Sequence, residues 1–150
     1  MVKPRKKRNV LYPPKALYFK PQGRQPAVLP DVILTVDEYE AVRLADYKKL
    51  KQEEAAEKMN ISRPTFTRLI ESARSKIAQA IVNGRAIRIE GGDFVFLKNR
   101  VRCIDCGNVW EPKSGRAGKA SCPSCYSSDV EDVGKSLARG PRRRRRGGNW

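Results

Sequence analysis

Thirty residues near the middle of the chain, Leu50–Gln79 (LKQEEAAEKMNISRPTFTRLIESARSKIAQ), constrain the fold more than any other stretch. Two apolar-periodic segments, Leu50–Met59 and Phe66–Ile77, flank a three-residue break, Asn60-Ile61-Ser62. Phe66, Leu69, Ile70, Ala73 and Ile77 recur at helical spacing and form one face of a helix. Asn60 tolerates the left-handed conformation that ends a helix. Ser62 is a good N-cap, and Pro64 in the first turn sacrifices no helical hydrogen bond. A plain helical hairpin would use the same apolar stripe. The small residues Ala55 and Ala56, which allow close helix approach, and the short break favour a helix-turn-helix. Its second helix would enter the major groove of DNA, with Arg63, Thr65, Thr67 and Arg68 facing bases and phosphates.

Such a motif needs a supporting helix, and the sequence supplies one. Thr35 and Glu38 form a capping box, Leu34 and Tyr39 a hydrophobic staple, and Asp37 and Glu38 match the helix dipole. The helix runs to about Tyr47, with Tyr39, Val42 and Ala45 inward. Lys51 is a poor cap for the next helix, so that end should fray or be capped from elsewhere. The second helix of the motif ends near Val82, before Asn83-Gly84. The expected fold class is a mainly α three-helix domain over residues 31–84, joined to a small β zinc ribbon, with flexible basic tails. Residues 85–100, with alternating AIRIE and DFVFL around Gly91-Gly92, read as a hairpin or two short bridging strands.

The charge distribution points to polyanions. The net charge is +16, and residues 1–24 and 135–150 together carry fifteen basic residues and no acid. The middle is close to neutral. Lys3, Arg5, Lys6, Lys7 and Arg8 in the arm (residues 1–30), and Arg142, Arg143, Arg144, Arg145 and Arg146 in the tail (residues 135–150), suit phosphate contacts. Prolines keep the arm extended, and Tyr18 and Phe19 anchor it on the protein rather than stacking on bases. Neither end has a lipid-seeking face, no apolar run reaches membrane-spanning length, and no apolar segment follows the basic N-terminus. The expectation is a cytoplasmic protein that does not bind membranes.

All four cysteines fall in residues 101–134 as two C-x₂-C pairs, Cys103/Cys106 and Cys122/Cys125, fifteen residues apart. That spacing suits one closed tetrahedral Cys₄ site, here one structural Zn²⁺, with iron as the rival in the same geometry. So short a module cannot bury enough core alone, so metal binding would supply folding energy. The ribbon also offers a surface for a protein partner. Residues 114–121 read as a solvated loop. With no histidine, no phosphate-binding Gly-rich loop and no open metal position, an enzyme is not expected.

Six segments carry a family resemblance: PRK (4–6), YFKP (18–21), LTVDEYEAVRLAD (34–46), QEEAA (52–56), SRPTFTRLIESAR (62–74) and RIEGG (88–92). Over about residues 3–92 the chain resembles a family of predicted DNA-binding proteins of archaea and bacteria, of unknown function. Its helix-turn-helix is similar to region 4 of bacterial sigma factors. The resemblance implies DNA contact through Arg63, Thr65, Thr67 and Arg68. The Cys₄ segment is similar to ribbons of archaeal transcription and translation proteins. Two functions follow as expectations: a DNA-binding transcription regulator acting on duplex DNA, or a structural RNA-binding protein of the ribosome with its basic tails threaded into rRNA.

Overall fold

The computed structural model describes residues 6–22, 29–112 and 121–138. Helix α1 (Val36–Val42) begins at Thr35, whose hydroxyl oxygen accepts from the Glu38 N–H at 3.4 Å and donates to the Glu38 carboxylate at 3.0 Å. The box therefore closes through the hydroxyl. Leu34 and Tyr39 pack in one apolar cluster. After Val42 the chain widens into a π-helical turn, Arg43–Tyr47, closed by the Lys48 N–H on the Arg43 carbonyl at 2.8 Å. Ala41 and Leu44 are the fully inward residues here, while Val42 and Ala45 are only partly buried. The π turn can account only for Leu44 and Ala45, because a wider turn rotates the side chains within and after it; Ala41 and Val42 precede it.

Helix α2 (Gln52–Met59) ends at Asn60 in the left-handed conformation, φ 57°. Lys51 gives no side-chain cap. Helix α3 (Arg63–Asn83) begins at Ser62, whose oxygen accepts from the Thr65 N–H at 3.3 Å, and ends at left-handed Gly84. Ala41 and Leu44 meet Ala55, Ala56 and Met59 of α2 and Phe66, Leu69 and Ile70 of α3 in one core. Ala55 and Ala56 are almost fully buried, as close helix approach demands.

The three helices do not make a mainly α domain, and the expected fold class is corrected here. Five short strands complete the N-terminal part. β1 (Arg8–Val10) pairs in parallel with β5 (Phe94–Phe96). β4 (Ile87–Ile89) lies between β2 (Tyr18–Phe19), antiparallel to it, and β3 (Val32–Leu34), parallel to it. The two strands that flank Gly91-Gly92 therefore belong to different sheets. Strands of two or three residues are not stable alone, so segments from the arm and from beyond α3 pair over long sequence distances. Val10, Leu34, Val36, Ala73 and Ile89 form a second core further along the same face of α3. The outcome is an α+β unit.

The C-terminal module is a three-stranded antiparallel sheet, with β6 (Val101–Cys103) between β7 (Val109–Trp110) and β8 (Val130–Asp132). A short helix, α4 (Val133–Ala138), follows at once. Its Val133 and Leu137 are buried in the second core, beside Val10 and Val36. The cysteine module is thus fastened to the helical one by its own C-terminal helix.

Candidate nucleic-acid interface and metal centre

Helix α3 buries its apolar stripe and turns Arg63 and Arg68 to solvent. Arg63 pairs with Glu53 of α2 at 3.1 Å, but both side chains are about 60% exposed (62% and 61%), so the pair is weak and can open. Arg68 has no ion-pair partner among the described residues. Thr67 is directed at α2: its hydroxyl lies 2.6 Å from Gln52 Oε1 and 3.1 Å from the Arg63 carbonyl. Thr65 is half-buried beside the cap, with its hydroxyl 2.8 Å from Ser62 Oγ.

The arm comes to the same place. Lys6 and Arg8 line an open cleft of about 480 Å³ together with Glu57, Asn60, Ser62 and Thr65. The cleft thus joins the arm to the turn between α2 and α3, where α3 begins. Lys6 and Lys7 are exposed. Arg8 is held by an ion pair with Asp37 of α1. Lys3, Arg5 and Arg142 to Arg146 lie outside the described residues, as does most of the 114–121 loop. Tyr18 and Phe19 are held through their strand, yet both rings stay about half exposed; the Arg88 guanidinium sits 4.8 Å from the Tyr18 ring centre.

Sequence reasoning missed what fixes the arm. Asp37 and Glu40 are each 2% exposed, and Glu38 5%. Asp37 takes Arg8, Glu40 takes the Arg43 fork at 2.9 and 2.6 Å and the Leu11 N–H at 3.4 Å, and Glu38 takes Lys76 of α3 at 2.6 Å. α1 is therefore an acidic post to which the basic arm is tied. The available signal was three acids within four residues, 37–40, against an acid-free arm.

The cysteines converge as their spacing requires. All four sulfurs lie within 4.8 Å of one another, and the edges Cys103–Cys125 and Cys106–Cys122 are both 3.5 Å. Four thiolates around one ion at about 2.3 Å would stand ~3.8 Å apart, so the donor set fits a tetrahedral metal. Two matching knuckles supply it. The Gly107 N–H donates to the Cys103 carbonyl at 3.0 Å, and the Tyr126 N–H to the Cys122 carbonyl at 2.8 Å; both residues are left-handed, φ 75° and 63°. Burial opposes ionisation of Cys122, but the N–H groups of Cys125 (3.5 Å) and Ser124 (3.4 Å) and the Cys106 and Cys125 side chains outweigh it and bring that thiol down to about 6. The Ser127 N–H works to lower Cys125, yet Cys103, burial, Cys106 and Cys122 together push it up to about 12. Backbone N–H groups thus favour the thiolate form of Cys122.

Among the described residues, no helix is long and apolar enough to cross a membrane. No solved structure matches the chain. A UPF0251 protein of Chloroherpeton thalassium is 48% identical over 150 residues, covering 98% of this chain and 99% of that protein. UPF0251 proteins of Desulforudis audaxviator and Moorella thermoacetica are 47% and 46% identical over 130 and 132 residues, with at least 85% of either partner covered. The first match runs through the cysteine module as well as the helical one. Residues 1–97 match the model of the family described as "Protein of unknown function DUF134", and the chain belongs to that family.

Proposed function

We propose that the protein is a DNA-binding regulator that reads duplex DNA with the first turns of α3 and carries one structural zinc ion on its four cysteines. The observation that carries this reading is the cleft where the basic arm meets the α2–α3 turn, with Lys6, Arg8, Ser62 and Thr65 on its walls. The positive end of the helix dipole at the start of α3 attracts phosphate, and the arm adds cations beside it. Arg68, exposed and without an ion partner among the described residues, is the best-disposed base reader; Arg63 joins it by releasing Glu53. Thr67 serves by holding α2 against α3.

Selection from random duplex DNA is expected to enrich a motif. Arg68→Ala should relax preference at one position by roughly 1–3 kcal/mol, with the melting temperature unchanged. Failure to enrich any sequence would sink the DNA reading. Metal analysis of protein purified without added metal is expected to give one zinc per chain; a coloured, iron-loaded protein would contradict zinc.

A second reading, an accessory RNA-binding protein of the ribosome, draws on a specific observation. Within the described residues many cations are already paired: Arg8, Arg43, Arg63, Arg74, Lys76, Arg88 and Arg102 each meet a carboxylate. Electrostatic affinity then rests on the chain ends, which suit folded RNA as well as DNA. Crosslinking in cells, with sequencing of both recovered DNA and recovered RNA, separates the two.

A further inference from the structure

A second recess lies between the arm, the π turn and α2. It measures about 500 Å³, within the range of about 300–1,000 Å³ typical of small-molecule sites. Its apolar walls are Leu11 of the arm, Leu44 of the π turn, Leu50 and Leu97. Leu97 is 55% exposed, so the recess opens to solvent there. Its polar lining is unbalanced: Arg43, Lys48 and Lys58 stand against one acid, Glu40. That acid is spent, because the Arg43 fork and the Leu11 N–H already bind it. Lys48 and Lys58 are exposed, and neither has an ion-pair partner among the described residues. The π turn brings Arg43 and Leu44 to the recess, and such turns occur frequently at functional sites.

We propose that this recess binds a small organic anion with an apolar body, the body lying among the four leucines and the anionic head meeting Lys48 and Lys58. A cationic or polybasic occupant would face uncompensated like charge, and a neutral one would leave both lysines unanswered. Nothing in this proposal depends on nucleic-acid binding.

The test uses the full chain with leucine methyl groups labelled for NMR. Sodium octanoate at millimolar concentration is expected to shift the methyl signals of Leu11, Leu44, Leu50 and Leu97 saturably, while octylammonium chloride leaves them in place. The double variant Lys48→Glu/Lys58→Glu, changed only at exposed positions, should weaken octanoate by about tenfold or more while keeping the rest of the spectrum. Leu97→Trp, which fills the opening, should also weaken it. The proposal is overturned if octanoate leaves the four leucines unmoved, if octylammonium shifts them equally, or if the charge-reversed variant binds octanoate as well as the parent does.

Discussion

Tyr126 and Gly107 occupy the same left-handed position in the two cysteine knuckles, and only one of them suits it. A side chain in that conformation costs roughly 1–2 kcal/mol. Nothing lies within 4 Å of a Cβ built on Gly107, so Gly107→Ala should lower stability by about 1 kcal/mol from backbone strain alone. Tyr126→Gly should cause no loss, since relief of strain offsets the added freedom of the unfolded chain. Urea titrations of the metal-loaded protein check both. Arg8 illustrates the opposite situation, a charge whose role depends on a distant partner. Removing it leaves Asp37 buried without its cation, so Arg8→Ala should cost about 3 kcal/mol. Lys6→Ala, at an exposed position, should change stability by under ~0.5 kcal/mol. In sequence these two cations look alike. Only the burial of Asp37 distinguishes them.

At the level of elements, caps and turns were legible, and side-chain direction was less so. Thr35, Asn60, Ser62 and Gly84 all act where local rules put them, because each needs only its own neighbours. The π turn was not legible, since no local signal marks one extra residue per turn. Its last part is tied to α3 by Arg74, which donates to Asp46 at 3.2 and 2.6 Å. The Arg74 hydrogen bond holds the Asp46 carboxyl below its ordinary value of 3.8. A depressed folded value stabilises above the unfolded one and is lost as pH falls through it. Arg74→Met should therefore cost under ~1 kcal/mol at pH 7, because the pair is exposed, and the difference should shrink as pH falls below the ordinary carboxylate value of 3.8 and Asp46 is protonated. Gly91-Gly92 is more than a turn between strands. The Gly91 carbonyl accepts the Val36 N–H at 3.0 Å, and a Cβ on Gly92, at φ 97°, would lie 2.3 Å from Asp37 Oδ1. Gly92→Ala should cost roughly 2 kcal/mol or more, adding a clash to a strained φ. That loss should exceed the one at Gly107, and paired melts compare them.

On the scale of the whole molecule, the two modules are not independent beads. Leu137 of α4 is buried against Val10, Val36 and Ala73 of the N-terminal part. Leu137→Ala should cost about 2–4 kcal/mol with the metal bound and should lower the melting of the helical part as well. If the four cysteines hold the proposed metal, its removal by a strong chelator should unfold the cysteine module and release α4, giving a comparable loss in the helical part. An unchanged melt of that part in both experiments would mean that α4 does not dock. The periodicity of α2 and α3, the caps, the cysteine pairs and the basic ends could all be read from sequence, because each depends on residues a few positions apart. The α+β class could not. It depends on β1 finding β5 and β2 finding β4 across more than sixty residues, and pairing at that distance leaves no periodic trace in strands this short. Tertiary structure alone also decided which charges are spent. Arg8, Arg43 and Lys76 are held by the buried acids of α1, whereas Lys6, Lys58 and Arg68 remain exposed. The reason is that a charge's availability depends on its solvent and its partners, and both are set by chain packing rather than by neighbours in sequence.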